Sequence, residues 1–340
     1  MQPFHYSRPP SLAEAIVASA RDQNRTPDVT SAFLAGGTTL VDLMKLNVMQ
    51  PSRVVDLNPS AREFSSIRFD GSVLRLGAFA KMATAADHPD VVNHFPVIAQ
   101  SLALAASAQL RNMATLGGNV LQRTRCAYFR DPSWTACNKR SPGSGCAAIG
   151  GANRQHAVLG SSEHCIATYH GDFGQALMAL DAVVALVGPD GARSIPFASL
   201  HLLPGRTPHL ETNLRKGEII TEILVPAGPW TRRSRYVKVR DRQSYEFSVA
   251  SVAVALDLEG DIVNDVRIAL GGLATVPWRA FDAEQRLQGK ELNETSATEA
   301  ARAAFAGAVA HSHNAFKTKV GQAAIVRALL ETAALEVRRG

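Results

Sequence analysis

Four cysteines, Cys126, Cys137, Cys146 and Cys165, are the chain's whole complement, and they fall within 40 of its 340 residues. Their intervals of 10, 8 and 18 residues contain no close Cys-x2-Cys pair of the kind that zinc fingers and most ferredoxins use. Thiols grouped in this way hold a metal or an iron–sulfur cluster, close disulfides, or are buried independently of one another. Disulfide frameworks belong to small secreted domains, and this chain is neither. A cubane cluster on four thiolates is a net anion that needs positive surroundings or backbone donors. Between Arg111 and Arg140 stand six basic residues (Arg111, Arg123, Arg125, Arg130, Lys139, Arg140) against Asp131 alone, a local +5 in a chain of net charge +6. This favours a cluster over plain disulfides, with Arg123, Arg125 and Arg130 placed to offset its charge. Zinc on four thiolates stays open.

A second group of residues suits phosphate. Leu34-Ala35-Gly36-Gly37-Thr38-Thr39-Leu40 sets two glycines between a strand and a helix start, where free N–H groups and the helix dipole favour an anion. The plain alternative is a tight turn with a threonine helix cap. Ala114-Thr115-Leu116-Gly117-Gly118-Asn119 repeats the glycine pair, and two such loops could grip a diphosphate from two sides. Asp172 opens a helix, either as its cap or as a hydrogen-bond acceptor for a cofactor hydroxyl. Gly143-Ser144-Gly145-Cys146-Ala147-Ala148 has G-x-G-x-x-A spacing, but Cys137 to Pro142 before it cannot be the buried strand that a dinucleotide-binding site requires. His311 and His313, two apart on an expected helix, cannot face one ligand. His156, His164 and His170 flank the cysteines as reserve ligands. No G-x-S-x-G or H-E-x-x-H is present, so no catalytic residue is assigned.

The elements around these residues read as three segments. Residues 1–55 begin with a helix capped by Ser11 and boxed by Glu14, followed by a strand at Ser31 to Ala35 and a helix from Leu40. Residues 56–226 bring strands near Arg53 to Leu57 and Ser72 to Leu76, an alanine-rich helix from Ile98 to Gln109, and a helix-to-strand passage from Phe173 to Val187. An irregular insert at about 123–166 carries the cysteines, and long irregular loops in compact domains usually have a function. Residues 230–338 form an α+β module, with strands at Tyr236 to Val239, Val249 to Val254 and Val266 to Leu270. Two helices follow, the last burying Phe316, Val320, Ala323 and Leu330 on one face. No run of about 18 apolar residues predicts membrane insertion. The first ten residues carry His5, Arg8 and three prolines rather than a signal peptide. The basic stretch lacks the aromatic interleaving of a single-strand-binding surface, so nucleic acid is not an expected partner.

Taken together, the two glycine loops, Gly171-Asp172-Phe173-Gly174-Gln175-Ala176-Leu177, Leu214 to Ile220, Tyr236-Val237-Lys238-Val239 and Asn314-Ala315-Phe316-Lys317 resemble, in order and spacing, the flavin subunit of the xanthine dehydrogenase family of molybdenum hydroxylases. The likeness spans essentially the whole chain. Most members run directly from the Gly-Gly-Asn loop to an aspartate segment. This chain inserts the cysteines there, and so is most similar to the FAD and [4Fe-4S] subunits of periplasmic aldehyde oxidoreductases and, more distantly, of hydroxybenzoyl-CoA reductases.

The resemblance implies an α+β fold: a flavin-binding fold of the vanillyl-alcohol-oxidase type in two subdomains, then a C-terminal domain like that of CO dehydrogenase flavoprotein. It implies FAD, with the loop Leu34 to Leu40 and Thr115, Gly117, Gly118 and Asn119 on the diphosphate. Asp172 would touch the flavin chain, and Leu214 and Lys238 the ring. Gly-Asp-Phe replaces the Ser-Asp of many relatives, which keeps the carboxylate and removes a hydroxyl. It further implies a [4Fe-4S] cluster on the four cysteines, a large partner with the molybdenum cofactor, a small partner with [2Fe-2S] clusters, and oxidation of an aldehyde to a carboxylic acid. Two compartments stay open, the cytoplasm or, by co-export with a signal-bearing partner, the periplasm.

Overall fold

The computed structural model describes residues 1–20 and 30–337. The first elements are β1 (His5–Ser7), α1 (Leu12–Ala20), β2 (Ser31–Leu34), α2 (Leu40–Lys45) and β3 (Arg53–Asp56). The strands form a parallel sheet in the order β1-β3-β2. At the start of α1, Ser11 Oγ accepts from the Glu14 N–H at 3.3 Å and donates to its carboxylate at 3.1 Å.

Next come β4 (Ile67–Phe69), β5 (Val73–Gly77), α3 (Met82–Ala86), α4 (Pro89–His94), α5 (Pro96–Ala103), α6 (Ala108–Met113) and α7 (Leu116–Val120). The cysteine insert holds only the short α8 (Ala127–Arg130) and α9 (Ala147–Gly150), and α10 (Phe173–Ala179), β6 (Val183–Gly188), β7 (Gly191–Pro196) and β8 (Ile219–Pro226) follow. The antiparallel order is β4-β5-β8-β6-β7, so β8 returns from far along the chain to sit at the centre. The single helix expected from Ile98 to Gln109 is in fact two. Ala106 takes a positive φ of 47°, and Ser107 then caps α6 by accepting from the Leu110 N–H.

The last elements are β9 (Ser234–Val239), β10 (Ala250–Glu259), β11 (Ile262–Gly271), β12 (Trp278–Arg279), α11 (Phe281–Leu287), α12 (Glu294–Ala303) and α13 (Phe316–Ala333), with sheet order β12-β11-β10-β9. Both faces of β10 are covered, and strand alternation assigns them. Val252, Val254 and Leu256 belong to the core with α11 to α13. Ala253 and Ala255 join the core shared with α5 and α10, where small side chains let helices approach closely.

Three expectations fail in this region. Three helices form rather than two, and α13 buries Lys317, Gly321, Ala324, Ile325, Ala328 and Leu329 while Ala323 is exposed. Gly321 sets that face, because a Cβ there would stand 2.3 Å from the Phe305 ring. His311 and His313 precede α13 in a turn rather than lying on a helix.

Candidate functional site

The two glycine loops pack directly on each other. A Cβ on Gly36 would meet the Met113 carbonyl oxygen at 2.3 Å, and Gly37 has a φ of 76°, a region that glycine tolerates and other residues avoid. Asn58 Nδ2 donates to the Ala35 oxygen at 3.1 Å and holds the first loop. Thr39 sits at the start of α2 without capping it through its side chain. Among the described residues, the N–H groups of Gly37, Thr38 and Thr39 find no protein acceptor. The second loop differs. Gly117 N–H donates to the Ala78 oxygen at 2.8 Å and Gly118 N–H to Thr115 Oγ1 at 3.2 Å, so these glycines supply space rather than free donors.

Two cavities open from these loops. One of about 350 Å³ is bordered by Ala35 to Leu40, Thr115, Gly117, Gly118, Arg123 and Leu214. The other, of about 560 Å³, is bordered by Thr38, Thr39, Asn119, Arg125, His170, Asp172 and the Arg242 to Phe247 loop. They meet at Thr38, Thr39 and Gly118. Asn119 Oδ1, on the wall of the larger cavity, is buried without a protein partner. Leu34 borders neither; its Cδ1 lies beneath Gly37.

Asp172 begins α10 but makes no side-chain cap. Its carboxylate instead accepts from Tyr236 at 2.7 Å and from Lys238 Nζ at 2.8 Å, an ion pair almost wholly buried. Burial raises the pKa of Asp172 above its ordinary carboxylate value and outweighs Lys238 and Tyr236, which oppose it. Lys238 therefore stands behind the larger cavity and Leu214 beside the smaller; the structure does not bring these two together.

The cysteines share one small core with Leu43, Tyr128, Phe129 and Ile166, and all four are free. Cys137 and Cys146 face each other across an antiparallel bridge. Burial pushes the Cys126 thiol up to about 12, aided by Cys165 and Cys137 and opposed by the N–H groups of Phe129 and Tyr128. Burial takes Cys165 to about 11, opposed by Lys139 and by the Ala167 N–H, which reaches its sulfur at 3.5 Å. Among the described residues, no group of three or more His, Cys, Asp or Glu side chains is arranged to hold a metal ion. Of the flanking histidines, His156 Nε2 lies 3.1 Å from Cys126 Sγ.

The arginines expected to offset cluster charge are already paired. Arg130 makes a two-pronged contact with Asp42 at 2.8 and 3.1 Å, and Arg125 joins it at 3.1 Å. The Arg130 hydrogen bond holds Asp42 below the usual carboxylate range. Arg123 and Lys139 clamp Glu211 at 2.5 and 2.7 Å. Burial opposes ionisation of Glu211, but Lys139 and Arg123 together hold it low. Asp42 and Glu211 carry no sequence signal, since their partners lie more than 70 positions away. Asn58 and Tyr236, whose partners Ala35 and Asp172 lie 23 and 64 positions away, carry no local signal for these contacts either.

Residues 2–228 match the family described as FAD binding domain in molybdopterin dehydrogenase, and residues 235–332 match CO dehydrogenase flavoprotein C-terminal domain. The chain is 41% identical to the aldehyde oxidoreductase FAD-binding subunit PaoB of Escherichia coli, over 98% of this chain and 99% of that one. It is 26% identical to the glyceraldehyde dehydrogenase medium chain of Sulfolobus acidocaldarius, covering 86% and 83% of the two. Its fold matches carbon monoxide dehydrogenase from Hydrogenophaga pseudoflava with a TM-score of 0.74 at 26% identity, over 98% of this chain and 97% of that one. Two adjoining cavities at paired glycine loops, on a fold matched from end to end, make this chain a member of the FAD-binding subunits of the molybdenum hydroxylase family.

Proposed function

We propose that the chain is the FAD- and [4Fe-4S]-carrying electron-transfer subunit of a heteromeric, molybdenum-dependent aldehyde oxidoreductase. The observation that carries the flavin part is the meeting of two cavities at Thr38, Thr39 and Gly118. A dinucleotide is wide at both ends and narrow at its diphosphate, and free N–H groups at the start of α2 suit that waist. The smaller, apolar cavity takes the adenosine half beside Leu214. The larger takes the ring beside Asn119 and Asp172, with Lys238 fixing the carboxylate from behind. FAD supplies the conversion between electrons arriving singly and delivery to an external acceptor. The chain's residues would bind and orient it, and the buried Asp172–Lys238 pair would set the charge at that wall of the larger cavity.

For the cluster, the donor set is the support. Three buried free thiols and the half-buried Cys146 packed against them share one small core, with backbone N–H groups directed at Cys126 and Cys165. A cubane spreads its ligands around a whole cluster, so they need not converge on one point as zinc ligands do. Lys139, rather than Arg123, Arg125 and Arg130, is the basic residue that eases the charge at Cys165.

Hydroxylation of the aldehyde falls to a large partner with the molybdenum cofactor, and a small [2Fe-2S] partner passes the electrons. The similarity to aldehyde oxidoreductase and glyceraldehyde dehydrogenase subunits supports an aldehyde substrate. Purification from the native source tests the reading. Co-elution with two other subunits and a flavin spectrum over a broad iron–sulfur absorption are the expected result. Aldehyde oxidation by this chain alone would contradict it, as would zinc in place of iron.

A further inference from the structure

We propose that His156 tunes the iron–sulfur cluster by donating a hydrogen bond from Nε2 to the sulfur of Cys126, the cysteine that borders a passage to the flavin cavity. This rests on the cluster reading of the four cysteines. The imidazole and the sulfur are both buried, 3.1 Å apart. A sulfur bound to iron is an acceptor, so Nε2 carries the hydrogen and Nδ1 is left as an acceptor. Nδ1 is buried without a protein partner, and so is Arg125 Nε. Both residues line a cavity of about 280 Å³ that also reaches Cys126. That cavity shares Arg125, Gln155 and His170 with the larger flavin cavity. The two unpartnered atoms, one donor and one acceptor, suit a bridging water.

The backbone that presents His156 is held from the C-terminal domain. Lys317 Nζ donates to the carbonyls of Gln155 at 3.2 Å and His156 at 3.0 Å, and Asn314 Nδ2 to those of His156 at 3.4 Å and Ala157 at 3.1 Å. The His156 N–H donates to the Asn153 oxygen at 2.9 Å. Burying a lysine against backbone carbonyls costs desolvation. Here it fixes the segment that aims one ring nitrogen at one sulfur.

The chemistry follows from charge. Reduction adds one electron to the cluster, with no bond made or broken in the protein, and the sulfurs become more negative. An N–H aimed at a sulfur then stabilises the reduced form more than the oxidised form and raises the potential. His156 is thus a positioning residue that acts through Cys126.

The test uses the whole complex carrying His156→Leu or His156→Gln. Iron and labile sulfide are measured first, and an electron paramagnetic resonance redox titration follows. With iron content intact, His156→Leu is expected to lower the cluster midpoint by about 59 mV, a roughly tenfold shift for a one-electron couple. Glutamine, whose amide can still donate, is expected to recover most of it. An unchanged midpoint in the leucine variant overturns the proposal. So does a glutamine variant as low as leucine, which would assign the shift to packing. A wild-type complex without iron in this chain would remove the cluster reading, and this inference with it. Where substitution displaces the iron, the unaltered complex decides: with ¹⁵N-labelled histidine, pulsed resonance of the reduced cluster is expected to show a weak nitrogen coupling, and its absence overturns the proposal.

Discussion

Gly118 is the waist glycine with an ordinary backbone conformation at which an added Cβ would press on a single side-chain atom and on no backbone. A Cβ there would meet only Thr115 Oγ1, at 2.9 Å, whereas one on Gly36 would strike backbone. Gly118→Val should therefore keep the fold and fill the place where a diphosphate would lie. The expected result is a complex that assembles with a several-fold lower flavin content, read by heat release and fluorescence. Full flavin would remove Gly118 from the site. Lys238 makes a different prediction. Lys238→Met leaves Asp172 buried without its cation, a change that typically costs about 3–5 kcal/mol. The thermal midpoint should fall clearly, and Asp172→Asn in the same background should restore part of it. The grouping of the cysteines and glycines could be read directly, because residue type and spacing are local. The charges around them could not: Arg125 and Arg130 find Asp42, and Arg123 and Lys139 find Glu211, only after folding.

Among the elements, strands were the more legible, since β3, β9 and β11 announce themselves by short β-branched or alternating runs. Helices misled where one residue overrides a periodic pattern. Ala106 interrupts the alanine-rich run by taking a positive φ, and Lys317 on α13 is buried because carbonyls of another segment receive it. The loop between β7 and β8 shows what such cross-connections do. Glu211, held by Arg123 and Lys139, and Pro208, whose oxygen accepts from Lys139 at 3.0 Å, fasten that loop to the cysteine insert. Leu214, three residues on from Glu211, borders the smaller cavity. Glu211→Ala leaves two partly buried cations facing each other. It should weaken flavin retention and cluster stability together, seen as parallel loss of flavin and iron on mild heating. Loss of one alone would show that the latch does not couple them.

At the scale of the molecule, histidines make stability depend on pH. Burial lowers His201 to about 4 and His170 to about 3, from an ordinary 6.5. Well above pH 6.5 neither the folded nor the unfolded state protonates these rings. As the pH falls from 6.5 towards 4, the unfolded state takes the protons first and stability is lost. The thermal midpoint should fall across that window, and His201→Gln, whose amide can still donate to the Val120 oxygen, should flatten the slope.

The central claim, that this chain carries flavin and a four-iron cluster side by side, has its most direct test in the reduced complex. Electron paramagnetic resonance, with iron and labile sulfide, would compare wild type with serine at Cys126, Cys137, Cys146 and Cys165 in turn. A [4Fe-4S] signal separate from the partner's [2Fe-2S] signals, lost or altered in all four variants while those signals persist, is the predicted result. Unchanged iron in two of the four variants, or zinc at the thiols, would contradict it.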